Sequence, residues 1–551
     1  MATDNRSIVN DAEGPTTEWA GSDVGSVETA AGLYYQGSFS ISAQFSNVQE
    51  YLIAIQDSGG TTLNLNLSSH IIWVLVKDNL VETVASNGMQ VVLGNGSGGA
   101  NPIRGYVVGG NDNPGLVLGK QWYCIRLDTS NLTGLSTVQH NGTGAPTFTA
   151  IGAIGYGALH TVSARGNVDN LWVDRITYIA TGSYAFTVNG GTSGTPITFT
   201  SLANDDDTTT NGWGIFAGGV GNSFTIYAPT EFGDAGTADT YFSQSDSQIF
   251  FDGSNLGTGN WFFRVFGNST GTNSFALDNC VLVSLGEPAI WNFTDTNINT
   301  LNLIDTQFVD MGTISFPVSG GTLRQITGGT FINCGQIDLS TMDVTNTKFI
   351  GSSSSATGTI LLDTNGQTTN QTDLSFTSGG TGHAVYITAT GSYALTNWNF
   401  SGYSTANPGT NSTPASGSTD AMIYNNSGGA VTLNITGGIG GNITVRNGAS
   451  ATTTVQATIS ITFTNIVTGT EVRMYDYTGG VVGNEELGGN TDSFLESITG
   501  TSVTFSGVAQ KPYLVKFIKK EYVVLRVELG TSSVDITQKI TQNFDRNYSN
   551  P

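Results

Sequence analysis

The chain has 551 residues, too many for one hydrophobic core, so about three or four domains are expected. Charged residues make up only 11%, against about 25% in an ordinary soluble domain, and 19 Lys and Arg against 42 Asp and Glu leave a net charge of −23. Such a surface repels nucleic acid and anionic membrane, while 38% hydrophobic and 10% aromatic residues exclude a disordered chain.

The 73 glycines, with abundant Thr, Ser and Asn and few strong helix formers, point to an all-β chain of many turns. No stretch approaches about 18 consecutive apolar residues, so no membrane span is expected. Met1-Ala2-Thr3-Asp4-Asn5-Arg6 is polar and has no apolar h-region. Cys124, Cys280 and Cys334 are far apart and odd in number, which fits neither a disulfide framework nor a zinc site. Cys280 and Cys334 occupy interior-type positions, where Cys acts as a small hydrophobe.

In chain order, residues 1–30 are polar with Trp19 as the only large anchor, and are expected to form an arm that orders only against a partner. Residues 31–180 hold short strands such as Ser38-Phe39-Ser40-Ile41-Ser42-Ala43-Gln44-Phe45, Ile71-Ile72-Trp73-Val74-Leu75-Val76 and Gln121-Trp122-Tyr123-Cys124-Ile125-Arg126-Leu127. Their spacing predicts a two-sheet, jelly-roll-like β-sandwich. The closing Val168-Asp169-Asn170-Leu171-Trp172-Val173-Asp174-Arg175-Ile176 resembles the last strands of concanavalin A-like jelly rolls, a resemblance that implies sugar binding in this segment alone.

Residues 181–403 read as a right-handed parallel β-helix. Phe308-Val309-Asp310-Met311-Gly312-Thr313-Ile314-Ser315-Phe316 is echoed 23 residues later by Phe331-Ile332-Asn333-Cys334-Gly335-Gln336-Ile337-Asp338-Leu339. Leu277-Asp278-Asn279-Cys280-Val281 is an earlier partial copy, and Thr347-Lys348-Phe349-Ile350 opens a later one. Short strands recurring every 20–30 residues or so, apolar at alternate positions, are the mark of stacked coils. Residues 404–419, rich in Ser, Thr, Gly, Asn and Pro, are expected to be a linker or wide surface loop.

Residues 420–530 are expected to form a C-terminal β-sandwich and 531–551 a tail. Seven of the 19 basic residues (Lys511, Lys516, Lys519, Lys520, Arg526, Lys539, Arg546) fall in the last 41 positions. They could meet the acidic surface of a neighbouring subunit, or guard an edge strand at 514–527 against sticking. Ile536, Ile540 and Phe544 are expected to bury at an interface.

The run Phe463-Thr464-Asn465-Ile466-Val467-Thr468-Gly469-Thr470-Glu471-Val472-Arg473-Met474-Tyr475-Asp476, with Glu486-Leu487-Gly488-Gly489 and the terminal Phe544-Asp545-Arg546-Asn547-Tyr548-Ser549-Asn550-Pro551, resembles the C-terminal module of tailed-bacteriophage virion proteins. The middle section, from Thr272-Asn273-Ser274-Phe275 to Asn333-Cys334-Gly335-Gln336-Ile337-Asp338-Leu339, is similar to the rod of the same proteins, so that the likeness spans roughly 180–551. It implies a virion structural protein of the fibre, spike or capsid-decoration type. Its implied partners are itself, as a homotrimer, other virion proteins of capsid or tail, and host-surface glycans, with no nucleic acid and no membrane. Synthesis in the host cytoplasm and release by lysis follow from the same reading.

For chemistry, the rival reading is a tailspike-like depolymerase acting on host glycans. Glycoside hydrolysis needs two carboxylates about 5–10 Å apart, and Asp305, Asp310, Asp338 and Asp343 flank successive rungs. Asp310 is matched one repeat on by Asn333, an amide where a second acid is needed, so these positions read as Asp/Asn ladders that satisfy turns. Asn204-Asp205-Asp206-Asp207 could offer oxygen ligands to calcium but reads as a solvated loop, and Asp363-Thr364-Asn365-Gly366-Gln367 lacks the glycine and closing Glu of a calcium loop. His70, His140, His160 and His383 have no metal-ligand spacing, and no nucleophile elbow or phosphate-binding loop is present. Trp213, Trp261, Trp291 and Trp398 read as core anchors or, alternatively, as sugar-stacking platforms. The expectation is therefore an all-β structural protein, not an enzyme, with no catalytic, cofactor-binding or metal residues and no cofactor.

Overall fold

The computed structural model describes residues 2–21, 24–28, 34–35, 37–44, 48–79, 84–110, 116–118, 122–161, 171–203, 216–219, 221–233, 239–267, 272–351, 358–380, 382–403, 421–437, 443–478, 480–485, 494–495, 500–508, 512–530 and 535–546. They form two compact units, Met1–Arg324 and Gln325–Pro551. The protein is all-β, with coils of parallel strands in both units. The acidic run at 204–207, Trp213, the segment 404–419 and residues 547–551 lie outside the described residues.

In the first unit, a seven-stranded and a six-stranded antiparallel sheet make the expected sandwich. Ile72, Val74, Val76, Ile125 and Leu127 of one sheet pack against Leu52, Ala54, Val91, Leu93, Ile154 and Tyr156 of the other. Strands His70–Asp78 and Trp122–Asp128 are apolar at consecutive positions because both of their faces are buried: Trp73, Leu75 and Cys124 lie outside that core cluster yet are 2% exposed or less.

Residues 2–21 and 24–28 correct the expectation of a free arm. Ala2–Asp4 pairs with Phe186–Val188, Ser7–Asn10 with Leu171–Ala180, and Trp19–Gly21 with Gln49–Ala54. Their polar composition says nothing about backbone pairing, and open edges within the same unit satisfy them. Glu18 is buried and accepts a hydrogen bond from Asn10 Nδ2 at 3.1 Å.

Coils of three short parallel strands follow. Thr230–Phe232, Thr240–Ser245 and Gln248–Gly253 are succeeded, strand on strand, by Phe262–Val265, Asn273–Asp278 and Val281–Gly286, then by Ile290–Asn292, Thr300–Ile304 and Gln307–Val309. Alternate residues point inwards, so one side of each coil is apolar and the other polar. Inside, Phe263 stacks on Trp291, Trp291 on Phe293 and Phe293 on Phe316, with centroids 5.0, 5.0 and 5.1 Å apart.

The second unit repeats the plan. Ile337–Asp338, Asp343–Thr345 and Lys348–Ile350 lie under Gly358–Leu362, Gln371–Thr372 and Ser375–Thr377, which lie under His383–Ile387, Gly391–Thr396 and Asn399–Ser401. Phe331, Phe349, Phe376 and Phe400 form an internal ladder at 5.2, 4.9 and 5.1 Å. Coiling does not stop at 403. Ile423–Asn425 and Val445–Asn447 continue one face and Ala430–Thr436 and Thr452–Thr464 another, all in parallel register.

The last of these strands makes the transition to the C-terminal sandwich. Its first half pairs with the coil strand Ala430–Thr436 and its second half with Ser502–Val508 and Ile536–Lys539. Residues 535–540 are thus part of the sandwich rather than a tail, and Ile540 is buried in its core beside Phe463, Met474 and Phe517. Ile536 packs on that core from its margin, whereas Phe544 stays 56% exposed.

His140, on strand Thr137–Asn141, hydrogen-bonds Gln90 Oε1 at 2.8 Å, which puts its proton on Nε2. Burial lowers its pKa to about 4. The unfolded value is roughly 6.5, so the folded chain binds fewer protons between the two. The associated stability is complete above about pH 6.5 and is lost as pH falls towards 4, a change of about 2–3 kcal/mol. Urea midpoints across this interval should fall with acidity, and His140→Gln should flatten that slope.

Candidate functional site

The polar corner residues of the coils are the first candidates for chemistry, and their backbone explains them. Asp246, Asn279 and Asp305 in the first unit, and Asn346, Asp373 and Asn397 in the second, each end the second strand of a coil with φ between 45° and 57°. Asp and Asn are the non-glycine residues that tolerate this left-handed conformation best. Side chains on successive coils also bond to one another: Asn279 Nδ2 donates to Asp246 Oδ1 at 2.7 Å, and Asn397 Nδ2 to Asp373 Oδ1 at 2.9 Å. Asp310 (φ 54°) and Asn333 (φ 51°) occupy the corner after the third strand of their coils. The Asp/Asn pattern of the repeat is turn geometry.

Asp338 differs from the other predicted carboxylates. It points outward from strand Ile337–Asp338, half-buried, and its Oδ1 accepts from the Ser340 N–H at 2.8 Å and from Gln367 Nε2 at 3.1 Å. Gln367 is fully buried in the 3-10 turn Gln367–Asn370, and its Oε1 accepts from the Asp363 and Thr364 N–H groups at 2.9 and 3.2 Å. One glutamine thereby ties Asp338 to the exposed Asp363 of the next coil. Burial, assisted by the charge of Asp363, raises the pKa of Asp338. Asp338 and Asp363 are thus two carboxyl groups linked through one glutamine, and a pair of carboxyl groups is what glycosidic cleavage uses. Asp305, Asp310 and Asp343 are exposed and contribute nothing to this pair. The segment 363–367, which fails as a calcium loop, holds both Asp363 and Gln367, but their link to Asp338 is made across coils.

The proposed tryptophan platforms are interior. Trp261, Trp291 and Trp398 are 2% exposed or less, and Trp398 Nε1 donates to Gln371 O at 3.1 Å. The outward aromatics include Tyr184 and Phe262, in edge contact at 4.9 Å, with the Arg264 guanidinium 4.9 Å from the Tyr184 ring and 4.3 Å from Phe266. Arg264 also pairs with Glu231.

All three cysteines are buried, and burial pushes the Cys124 thiol up to about 12, which makes it a poor nucleophile. The histidines are held structurally. His160 lies 3.5 Å from Asp78, which also accepts from Tyr156. His383 Nε2 faces Arg446 at 3.3 Å and, since a guanidinium only donates, its Nδ1–H must donate to Ala421 O at 2.7 Å. Among the described residues, no three of His, Cys, Asp and Glu come together to hold a metal ion. A pocket of about 310 Å³ in the first unit is lined by Ser86, Asn87, Val107, Val108, Gly109, Gly134, Leu135, Ser136 and Asn255, with no charged side chain. Its chemistry suits a small, neutral, hydrogen-bonding group.

No family model matches this chain, and no curated protein matches it. Among solved structures, it is similar to the catalytic domain of GH87 alpha-1,3-glucanase in complex with nigerose, at 11% identity over 83% of this chain and 86% of that one, with a TM-score of 0.14. A variant of that domain in complex with tetrasaccharides gives 12% identity, 83% and 97% coverage and a TM-score of 0.17. Superposition this poor carries no argument about activity.

Proposed function

We propose that the protein is structural, a virion surface protein of the fibre, spike or capsid-decoration type that associates with itself and with other virion proteins. The observation that carries this reading is that packing and turn geometry account for the repeat: its Phe positions are internal stacks, its Asp and Asn positions left-handed corners. Stacked coils of this kind resist bending because each is hydrogen-bonded to its neighbours along its length. The neutral pocket bordered by Ser86, Asn87 and Asn255 supports contact with host-surface glycans through the sandwich. Antibody raised against the chain should label phage particles in negative stain; label confined to particle-free material would count against a virion role.

The Asp338–Gln367–Asp363 arrangement supports a second reading, cleavage of a host polysaccharide. Asp338→Asn separates the two. A turn residue tolerates the change, because the amide oxygen still accepts from Ser340 and Gln367, and it removes a carboxylate whose ionisation the fold opposes. Stability at neutral pH should hold or rise, and reducing-end assays on bacterial capsule should read zero for both proteins. Release by the parent chain that the Asn variant abolishes would establish the enzyme instead.

A further inference from the structure

In the C-terminal sandwich, Leu525–Leu529 is an edge strand. Its five-stranded sheet runs Val481–Glu485, Glu471–Thr478, Tyr513–Ile518, Leu525–Leu529, with Phe494–Leu495 also paired to Glu471–Thr478, and no described segment pairs with Leu525–Leu529 on its far side. The expected edge at 514–527 is thereby corrected: Tyr513–Ile518 is internal, and the edge lies one strand on. Leu525 and Val527 turn towards the core, while Arg526 and Glu528 are exposed on the outer face. Arg526 stands opposite Lys516, and Lys516 opposite Arg473, so three cations lie abreast in a chain whose net charge is −23. Like charges directly opposite on neighbouring strands repel. Glu471 engages Arg473 at 2.5 Å and the Tyr475 ring lies 4.5 Å from Lys516 Nζ, both inside the sheet. Arg526 is the cation at the open end. Next to this strand, Val523 and Val524 are 52% and 48% exposed.

We propose that Leu525–Leu529 pairs antiparallel with the same strand of a second copy of this chain, about a two-fold axis through Val527. That register sets Arg526 opposite Glu528 of the other copy and Leu525 opposite Leu529. Both edge charges meet their opposites, and the row of three cations ends against a carboxylate. A parallel, in-register pairing would set Arg526 against Arg526 and is disfavoured for that reason. An unprotected edge of this kind is a ready template for strand addition, and a self-complementary strand makes the contact isologous, giving a dimer rather than the expected trimer. The inference rests on the self-association in the proposed function and specifies where that contact is made.

The test is light scattering with sedimentation on the full chain. The parent should be dimeric. Arg526→Glu sets Glu against Glu and Glu528→Arg sets Arg against Arg, so each should weaken dimerisation at least tenfold. The double variant Arg526→Glu/Glu528→Arg should restore it, and an equimolar mixture of the two single variants should form heterodimers. Recovery in the mixture requires both singles to be folded. A dimer indifferent to these exchanges overturns the edge contact and leaves self-association standing. A trimer overturns the two-fold register, and a monomeric parent overturns both this contact and self-association.

Discussion

Replacing Arg126 by methionine is expected to destabilise the first unit by about 3–5 kcal/mol. Arg126 sits on a sandwich strand, 4% exposed, and reaches into the first coils. Its guanidinium donates to Tyr227 O at 2.5 Å, to Ser254 O at 2.7 Å and to Asp252 O, and pairs with the Asp252 carboxylate at 3.2 Å. Methionine fills much the same space but donates nothing, leaving three carbonyls and a partly exposed carboxylate without their cation. Arg126→Lys should recover only part of the loss, since one ammonium cannot span the fork of acceptors. Denaturant midpoints with calorimetry on the full chain provide the measurement, and a loss below about 1 kcal/mol for the methionine variant would refute the role. The surrounding bonds point the same way: Asp128 Oδ2 accepts from the Gly257 N–H and Asn260 Nδ2, each at 2.8 Å, and Asn131 Nδ2 donates to Leu256 O at 3.1 Å. Sandwich and first coils are thus cemented by polar contacts within one unit.

Phe376→Ala should cost about 3–5 kcal/mol in the second unit. The ring is 1% exposed and lies between Phe349 and Phe400, nearly parallel to both at 11° and 12°. Truncation opens a void bounded by rings that the coil backbone prevents from closing in, so both the transfer and the cavity contributions apply in full. The neighbouring Thr377 points outward, and Thr377→Ala should change stability by less than about 0.5 kcal/mol. Equal effects at the two positions would show that the coil is not held by its internal ladder.

The alternation of apolar and polar residues was enough to read the coils from the sequence, because side chains on a strand alternate between faces and a stacked coil has only one apolar face. The matched Phe308 and Phe331, each 1% exposed or less, are interior residues as their position in the repeat implies. The left-handed corners were legible for the same kind of reason, since Asp and Asn at a fixed place after a strand have few other uses. Domain limits were less legible. Residues 2–21 read as an arm because their side chains are polar, yet the edges they complete are defined by the backbone of strands elsewhere in the chain, such as Leu171–Ala180 for Ser7–Asn10.

The candidate site divides along the same line. Asp338 could be named from its rung, but its partner could not, because Gln367 reaches it across 29 positions from within a turn. The tryptophans show the converse: composition allowed surface platforms, and only the closure of each coil around Trp261, Trp291 and Trp398 decided that they are core. By itself the sequence determined the all-β class, the stacked coils and the corner residues, since these follow from period and local conformation. Tertiary structure alone decided where the coils end, which polar side chains meet, and that no described segment pairs with the far side of Leu525–Leu529. Those depend on which distant strands come into register, a matter of long-range pairing that no local pattern encodes.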